Sequence, residues 1–288
     1  MIGSVVVLYN PTIDEVKNIN TYLNKVNYAV IFDNSEENHS KLVSINLKNS
    51  KNYTYITQNK NLGLCKALNY GIQVLKKHGC KWAFVTDADS KIDECIFDVY
   101  NKAINDFRNE NNIALYSPVH VYDRSKNKPF DGCRLIKFSM TSGWLLDIDI
   151  FLKQNGFFED LFVDGLDFDY CFKSIKNGYK IIECGQAIVY HHPAETRVFL
   201  GLRYGTASPF RYYMQFRSLS WMILRYKSFS MIKFFLWKSF KVIFFFRNKT
   251  KYFGAIFRGT FDGFKLFFKY RNKNSKMSEM DHQNNFQI

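Results

Sequence analysis

The feature that most constrains the fold of this chain is a regular alternation of short apolar runs with helical patterns through roughly the first 110 residues. Four apolar runs predict strands: Val5–Leu8, Tyr28–Phe32, Tyr53–Thr57 and Trp82–Thr86. The segments around them predict helices: Ile13–Val26, Glu36–Leu47, Leu64–His78 and a fourth near Asp93–Phe107. Strand–helix alternation of this kind favours a mostly parallel sheet with helices on both faces. The predicted fold class is therefore α/β.

The pattern changes twice further along the chain. Between residues 113 and 150 it becomes β-like, with predicted strands at Ile113–Tyr116, Val119–Tyr122 and Arg134–Phe138. A helix at Asp167–Asn177 ends at Gly178, a good C-cap residue, and Tyr179–Glu183 follows as a strand. From about residue 211 the chain turns into helix rich in Phe, Trp, Lys and Arg. We predict an α/β domain over 1–210, amphipathic basic helices over 211–273 and a disordered tail over 274–288.

Charge is distributed very unevenly. Residues 1–196 carry 22 Lys/Arg and 23 Asp/Glu, whereas residues 197–276 carry 18 Lys/Arg and one acid. No uncharged stretch of Trp221–Arg247 exceeds five residues, far short of the roughly 20 that a transmembrane helix needs. Alternating aromatic and cationic residues are typical of helices that lie in a membrane interface. The alternatives are a helical subdomain with a solvated basic face and a nucleic-acid surface; we favour an anionic membrane surface and expect no nucleic acid.

Cysteine use and the N-terminus indicate a cytoplasmic location. The six cysteines are scattered and form no Cys-x-x-Cys, which fits reduced thiols better than a disulfide framework. Met1 leads directly into the apolar run Ile2–Leu8 without a basic segment or a cleavage site. We interpret this run as a first buried strand, not as a signal peptide.

The acidic triplet Asp87-Ala88-Asp89 directly follows the predicted strand that ends at Thr86. Open α/β sheets bind ligands at the carboxyl ends of their strands, and two carboxylates there suit a hard divalent cation that also binds substrate phosphates. The simpler alternative is an Asp-rich turn in which Asp89 or Ser90 caps the next helix.

Four further motifs complete an ordered set around this triplet. They are Tyr9-Asn10-Pro11, Asp33-Asn34-Ser35, the glycine-containing segment 61–71, and the acidic segment 164–173. With these motifs the chain resembles the inverting glycosyltransferases of family 2, which have the GT-A fold, and especially their bacterial rhamnosyltransferase-like members. The family pattern Asn-x-Gly-x-x-x-Ala-x-Asn-x-Gly is matched at Asn61, Gly63, Ala67, Asn69 and Gly71. The segment 209–217 resembles a later Arg/Tyr-rich stretch of the family, with Ser218 where Asn is usual, and the resemblance covers about residues 2–225.

The resemblance implies a GT-A domain, Rossmann-like, that binds a nucleotide-sugar through about residues 1–110 and the acceptor through about 111–210. The donor-side residues that it implies are Tyr9, Asn10, Pro11, Asp33, Asn34, Asn61, Gly63, Lys66, Asn69, Asp87, Ala88 and Asp89. Asp33 would accept a hydrogen bond from the base or ribose, or else belongs to an ordinary turn. The glycines either let the backbone approach the donor closely or serve packing.

The same resemblance implies a metal site. Asp87 and Asp89 would hold Mg²⁺ or Mn²⁺ on the diphosphate, where the ion acts as a Lewis acid for the leaving group. A histidine often follows the acidic motif in the family, and His191 or His192 stands at that place. A structural role for these histidines is the alternative.

On the acceptor side, Asp167 aligns with the second acid of the family's Glu-Asp motif, whose first acid is replaced by Leu166. We predict Asp167 as the general base of a single displacement with inversion, Asp164 near the sugar or acceptor, and Asp169 as a brace or acceptor contact. The alternative is that these acids complement the helix dipole. Ser142, Gly143 and Trp144 are expected under the donor sugar, with Trp144 stacking on it. A diphosphate clamp, or ordinary helix packing, is expected from Arg211, Tyr212, Tyr213 and Arg217.

These observations predict a metal-dependent inverting glycosyltransferase at the inner face of the cell membrane. We expect it to move L-rhamnose from dTDP-rhamnose onto a glycan or a polyprenyl-diphosphate-linked acceptor during bacterial surface polysaccharide synthesis. The sequence is also compatible with a homo-oligomer. Galactofuranosyl or hexosyl transfer from a UDP-sugar is the alternative. A nucleotidyltransferase is disfavoured because residues 9–20 lack a Gly/Lys/Arg-rich loop. A non-catalytic membrane-docking protein of the same fold is the alternative from another class.

Overall fold

The computed structural model describes residues 1–47, 52–124, 127–190, 195–199, 202–246 and 249–284 of the chain. The chain divides into two compact units. We call Met1–Gly205 the sheet unit and Thr206–Ile288 the helical unit.

The described part of the sheet unit is organised around a nine-stranded sheet. Its strands are β1 (Ile2–Leu8), β2 (Tyr28–Asp33), β3 (Tyr53–Thr57), β4 (Trp82–Asp87), β5 (Lys91–Ile92), β6 (Ile113–Val121), β7 (Cys133–Ile136), β8 (Trp144–Asp147) and β9 (Lys180–Tyr190). The order is β3-β2-β1-β4-β8-β6-β9-β5, with β7 paired to β9. The first four strands are mutually parallel, whereas β8 runs antiparallel to both β4 and β6.

Among the described residues, six α-helices accompany this sheet: α1 (Ile13–Leu23), α2 (Ser40–Asn46), α3 (Leu64–Lys77), α4 (Ile96–Asp106), α5 (Ile148–Lys153) and α6 (Leu166–Lys176). Helix α1 begins with a capping box in which Thr12 and Glu15 satisfy each other's backbone N–H groups. Each long helix buries an apolar face; on α3 it includes Leu68, Ile72 and Leu75. The resulting core lies between the helices and the strands, where Val5, Val30 and Phe84 are fully buried.

The predicted α/β fold class and the alternation of elements are confirmed, and the local differences include the following two. Ile113–Tyr116 and all of Val119–Tyr122 except its last residue belong to the single strand β6. The register of β6 with β9 shifts after Pro118, a residue that has no N–H for the ladder. The helix predicted from Glu36 begins only at Ser40. Its expected first turn is instead a loop in which the His39 N–H and ring bind Asp33.

The helical unit contains α7 (Pro209–Tyr226), α8 (Phe229–Phe245) and α9 (Lys249–Asn284), and a small sheet of β10 (Glu195–Phe199) and β11 (Leu202–Thr206) precedes them. Helices α7 and α9 pack closely because two glycines face the α7 backbone; a Cβ on Gly259 would lie 2.4 Å from the Tyr213 carbonyl oxygen. Helix α9 extends to Asn284 and so includes most of the segment 274–288, which the sequence predicts to be a disordered tail. Within the described residues, no helix combines the length and apolarity needed to cross a membrane.

Candidate active site

The carboxyl ends of the parallel strands bring three of the predicted motifs to one edge of the sheet. Leu8 on β1 pairs with Asp33 on β2, and Val7 pairs with Asp87 on β4. The segments that follow these strands therefore leave the sheet side by side. This edge is where open α/β sheets bind their ligands.

Hydrogen bonds join the loops after β1 and β2 to the segment that precedes α3. The Asn10 N–H donates to the Ser35 Oγ at 2.7 Å. The Asn34 side chain donates to Asn61 Oδ1 at 3.0 Å and accepts from the Leu62 N–H at 2.8 Å. The structure thus brings together Asn10, Asn34 and Asn61, three of the residues predicted on the donor side.

Asp33 is fully buried, and both of its carboxylate oxygens accept hydrogen bonds from within the protein. The donors are the Ser35 hydroxyl at 2.6 Å, the Tyr55 hydroxyl at 2.5 Å and the His39 ring at 3.0 Å. Burial alone would raise the pKa of Asp33, but these hydrogen bonds together lower it. The carboxylate holds the loop after β2, and sequence reasoning missed its partners His39 and Tyr55. The position of Tyr55 in the neighbouring predicted strand was the available signal.

The glycine-containing segment supplies packing as well as a loop. Gly63 has a φ of +84°, and a Cβ there would lie 2.5 Å from the Phe162 ring. Gly71 lies so close to β1 that a Cβ would be 2.5 Å from Val5 Cγ1. The Asn69 amide is engaged with the backbone N–H and carbonyl of Phe157, at 2.8 and 2.9 Å. Lys66 is exposed on the first turn of α3.

The acidic triplet follows β4 in a loop that hydrogen bonds support from both sides. The Ser142 Oγ accepts from the Asp87 N–H at 3.2 Å and donates to the Ser90 Oγ at 2.8 Å. On the other side, the Asn18 amide of α1 donates to the carbonyls of Ala88 and Ser90, at 2.9 and 2.7 Å. Asn18 was not predicted, although an amide on the helix that follows β1 is the type of side chain that can reach this edge.

The two aspartates suit a hard cation that also binds the substrate. Asp89 is exposed, and Asp87 is partly exposed. No cluster of three metal-ligating side chains occurs among the described residues, and His191 and His192 lie outside them. Mg²⁺ characteristically takes one or two carboxylates and completes its coordination with substrate phosphates and water. The residues present therefore fit an ion of this class when a diphosphate is bound.

Asp167 lies in the first turn of α6 and is partly buried. Burial raises the pKa of its carboxyl to about 7, with further upward contributions from the charges on Asp164 and Asp87, against a lowering hydrogen bond from the Phe168 N–H. A carboxyl group with a pKa near neutrality is well suited to general base catalysis.

The other acids of this segment have different surroundings. Asp169 is 1% exposed, so it lies inside the protein and offers no surface to an acceptor in this structure. Asp164 is partly exposed. Leu166, at the position where the family has Glu, is buried.

The segment Ser142-Gly143-Trp144 is placed differently from the prediction. Trp144 is fully buried, and its Nε1 donates to the Ser139 Oγ at 3.1 Å, so the ring has no face on which a sugar could stack. Ser142 supports the acidic loop. Gly143 is required because a Cβ would lie 2.6 Å from Val189 and 2.8 Å from Pro118. The expectation of Trp144 as a sugar platform is therefore wrong for this conformation: the ring is a core residue.

Another aromatic pair does lie beside the candidate base. The rings of Phe138 and Phe168 are stacked with centroids 3.8 Å apart and an interplanar angle of 8°. Phe138 is 38% exposed, and Phe168 is the immediate neighbour of Asp167. Sequence reasoning missed this pair because nothing local links residue 138 to α6.

The predicted diphosphate clamp belongs to the helical unit. Tyr212 is 1% exposed and packs against Phe246 and Tyr252, so it is a core residue there. The Tyr213 hydroxyl donates to Asp262 at 2.9 Å. Arg211 is exposed and Arg217 partly exposed. A cavity of about 410 Å³ lies within this unit, lined by Pro209, Phe210, Tyr213, Ala255, Arg258 and Asp262.

Comparisons with known proteins identify the family and the fold of the chain. The sequence profile of the family described as glycosyl transferase family 2 matches residues 10–164. The dTDP-rhamnosyl transferase RfbF of Shigella flexneri is 23% identical over 248 residues, which are 78% of this chain and 80% of that protein. Structures of residues 1–349 of S. aureus TarS, in complex with UDP and with UDP-GlcNAc, superpose with TM-scores of 0.54 and 0.57 at 14% identity. Each alignment covers 77% of this chain, which spans 65% and 66% of those two structures.

Proposed function

The chain belongs to glycosyl transferase family 2, and from this premise we propose that it transfers L-rhamnose from dTDP-rhamnose, with inversion, to a growing or lipid-linked bacterial surface glycan. The observation that carries the proposal is that the carboxyl ends of β1, β2 and β4 place three donor-side motifs at one edge of the sheet. The same compact unit holds Asp167, a carboxyl whose pKa is raised to about 7 by burial. A donor site and a base are what a single displacement requires.

The loops after β1 and β2 provide the nucleoside side of the site. The Asn10 N–H donates to Ser35, and the neighbouring Asn34 side chain donates to Asn61, so these loops are tied together at the carboxyl edge of the sheet. Tyr9, beside Asn10, is 54% exposed. Asp33 acts mainly by fixing this loop, since its oxygens are already engaged. The similarity to a dTDP-rhamnosyl transferase supports dTDP-rhamnose as the donor; UDP-sugars are the alternative.

A Mg²⁺ or Mn²⁺ ion would be held by Asp87 and Asp89, with His191 or His192 as a further ligand. When bound, such an ion supplies Lewis-acid stabilisation of the leaving diphosphate. The chain's own contribution is to orient the two carboxylates. Ser142 and Asn18 provide that orientation through their bonds to the loop.

Asp167 is the proposed general base. Its carboxylate accepts the proton of the acceptor hydroxyl as the oxygen attacks the anomeric carbon, and the nucleoside diphosphate leaves from the opposite face. Desolvation, which raises the pKa of Asp167, keeps the carboxylate basic enough for this transfer. No glycosyl-enzyme intermediate forms.

On the acceptor side we propose that the exposed Phe138 ring, stacked on Phe168 beside the base, packs against the acceptor sugar. The acceptor is a glycan, carried on a polyprenyl diphosphate. Such a substrate is confined to a membrane, so the protein works as a peripheral protein at the inner face of the cell membrane.

The experiment that tests the function is a calorimetric binding panel of dTDP-rhamnose, UDP-galactose, UDP-galactofuranose and UDP-N-acetylglucosamine, with and without Mn²⁺. We expect metal-dependent binding of dTDP-rhamnose, and loss of that dependence in Asp89→Ala. NMR of the product should show an inverted anomeric centre. Metal-dependent binding of a UDP-sugar alone would reassign the donor, and binding of none by folded protein would favour a docking protein without chemistry.

A further inference from the structure

Helix α9 presents a continuous stripe of exposed phenylalanines. Their exposed fractions are 45% for Phe253, 75% for Phe257, 52% for Phe261, 41% for Phe264 and 51% for Phe268. Since successive residues of an α-helix are rotated by about 100°, these five rings fall within an arc of about 80°. Ala255, Gly259, Gly263 and Leu266 are buried on the other side of the helix. A packed core therefore holds one face of α9 and leaves the phenylalanine face uncovered.

Helix α8 has a similar uncovered face. Its exposed apolar side chains are Phe229, Ile232, Leu236, Trp237, Phe240, Ile243 and Phe244, which fall within an arc of about 140°. The two helices together leave twelve large apolar side chains exposed in one compact unit. Apolar surface on this scale marks an interaction site for a protein or a membrane.

Cations border the stripe on α9. Lys251, Arg258, Lys265 and Lys269 are all exposed and occupy the adjoining sector of the helix, within about 80° of the edge of the stripe. The Lys265 Nζ lies 4.4 Å from the Phe261 ring centroid. On α8, the Lys233 Nζ lies 4.8 Å from the Phe229 ring centroid. Lys265 therefore borders the stripe on α9, whereas Lys233 lies within the apolar arc of α8. In both places a long apolar stem can pack along the aromatic face while the ammonium group reaches the lipid headgroups, as snorkelling side chains do at a lipid interface.

We propose that the exposed faces of α8 and α9 form a docking surface for an anionic phospholipid bilayer, with the aromatic rings in the interfacial region and the bordering cations on lipid phosphates. The proposal rests on the proposed function and deepens the localisation given there. It assigns the contact to residues 229–244 of α8 and 253–268 of α9. An amphipathic helix with aromatic residues on one face and Lys/Arg beside it binds such interfaces.

Charge decides between a bilayer and a second copy of this chain. Residues 197–276 hold 18 Lys/Arg and a single acid, so two copies that met through these faces would bring like charges together. An anionic leaflet presents the opposite charge. An anionic bilayer therefore matches both the exposed apolar side chains of α8 and α9 and the cations beside them.

The test is co-sedimentation of the full chain with vesicles of phosphatidylglycerol and phosphatidylcholine in equal parts. We expect binding that weakens with added salt and that falls at least about tenfold when Phe257→Ser is combined with Phe261→Ser, because two rings leave the interface. The matched control combines Ile45→Ser with Leu135→Ser. These side chains of the sheet unit are 70% and 66% exposed, and their replacement should leave vesicle binding unchanged.

Two results would overturn the proposal. One is equal vesicle binding by the phenylalanine variant and its control. The other is a wild-type dimer, measured by light scattering, that the phenylalanine variant dissociates; the face would then belong to a second copy. Donor binding is measured on the same proteins without vesicles. Intact donor binding without vesicle binding refutes the docking surface alone, whereas the reverse refutes the transferase function alone.

Discussion

Asp167 is expected to give the transferase its pH dependence. A base must be ionised, and the pKa of Asp167 is about 7 because of burial first and the charges of Asp164 and Asp87 second. The value of kcat/KM should therefore rise with pH through a midpoint at or somewhat below 7 and level off above it. The midpoint is placed below 7 because a cation on Asp87 would cancel part of the upward shift in the pKa of Asp167. Initial rates measured from pH 5 to 9 check this expectation.

The control for this profile is Asp167→Asn. It should lower kcat by about 10²-fold or more, leave donor affinity unchanged and remove the rising limb from any residual activity. The same variant should unfold at higher denaturant than the wild type at pH 8, because the folded state disfavours the ionised carboxylate that asparagine lacks. Full activity in Asp167→Asn would move the base elsewhere.

The pKa of Asp33 is shifted in the direction opposite to that of Asp167. Hydrogen bonds lower the pKa of Asp33 despite its burial, so its carboxylate stabilises the fold above pH 4 or so, and that stability is lost as the pH falls through the lowered pKa. We expect Asp33→Asn to cost about 1–3 kcal/mol in the free energy of unfolding at pH 7, with the difference from wild type shrinking in acid. Urea unfolding at several pH values measures it. Asp106→Asn, at an exposed position, should have little effect.

At the scale of elements, the packing of α3 on β1 depends on the missing side chain of Gly71. A Cβ at this position would lie 2.5 Å from Val5 Cγ1, so Gly71→Ala should destabilise the protein by about 1–3 kcal/mol through overpacking. In a Val5→Ala background the clash partner is gone. There the same change should stabilise by up to about 1 kcal/mol, because alanine favours helix over glycine. A double-mutant cycle of urea unfolding tests this reversal of sign, and additive effects would contradict it.

The elements themselves could be predicted because each leaves a local pattern. The four parallel strands and helices α1 and α3 follow from apolar periodicity and turn residues, and the motif at each strand end then falls at one edge by topology. The roles of individual side chains could not be predicted in this way. The sequence predicts ligand contacts for Trp144 and Asn69, and a diphosphate clamp or ordinary helix packing for Tyr212. All three side chains are buried, and the partner of Asn69 is Phe157, 88 residues away. Residues that are distant in sequence also form the Phe138–Phe168 stack and the hydrogen bond between Tyr55 and Asp33, so no local pattern predicts either contact.

At the scale of the whole molecule, the division of charge follows the division into units. Residues 1–196, nearly neutral with 22 Lys/Arg and 23 Asp/Glu, make up most of the sheet unit and hold the acidic loop and the base. Most of the strongly basic remainder belongs to the helical unit with its exposed aromatic faces. Net charge at this scale governs association with other charged surfaces and not the fold. Chemistry and membrane attachment are therefore expected to be separable by deletion.

A fragment of residues 1–205 tests that separation. The sheet unit has its own buried core, so the fragment should unfold cooperatively, bind the nucleotide-sugar in a metal-dependent manner with affinity close to that of the full chain, and fail to sediment with anionic vesicles. Asp89→Ala in the same fragment is the control that should lose metal-dependent binding. If the fragment is folded but does not bind the donor, then Arg211 or Arg217 of the helical unit contributes to the donor diphosphate. If donor binding is intact, any diphosphate that those arginines clamp belongs to the lipid-linked acceptor.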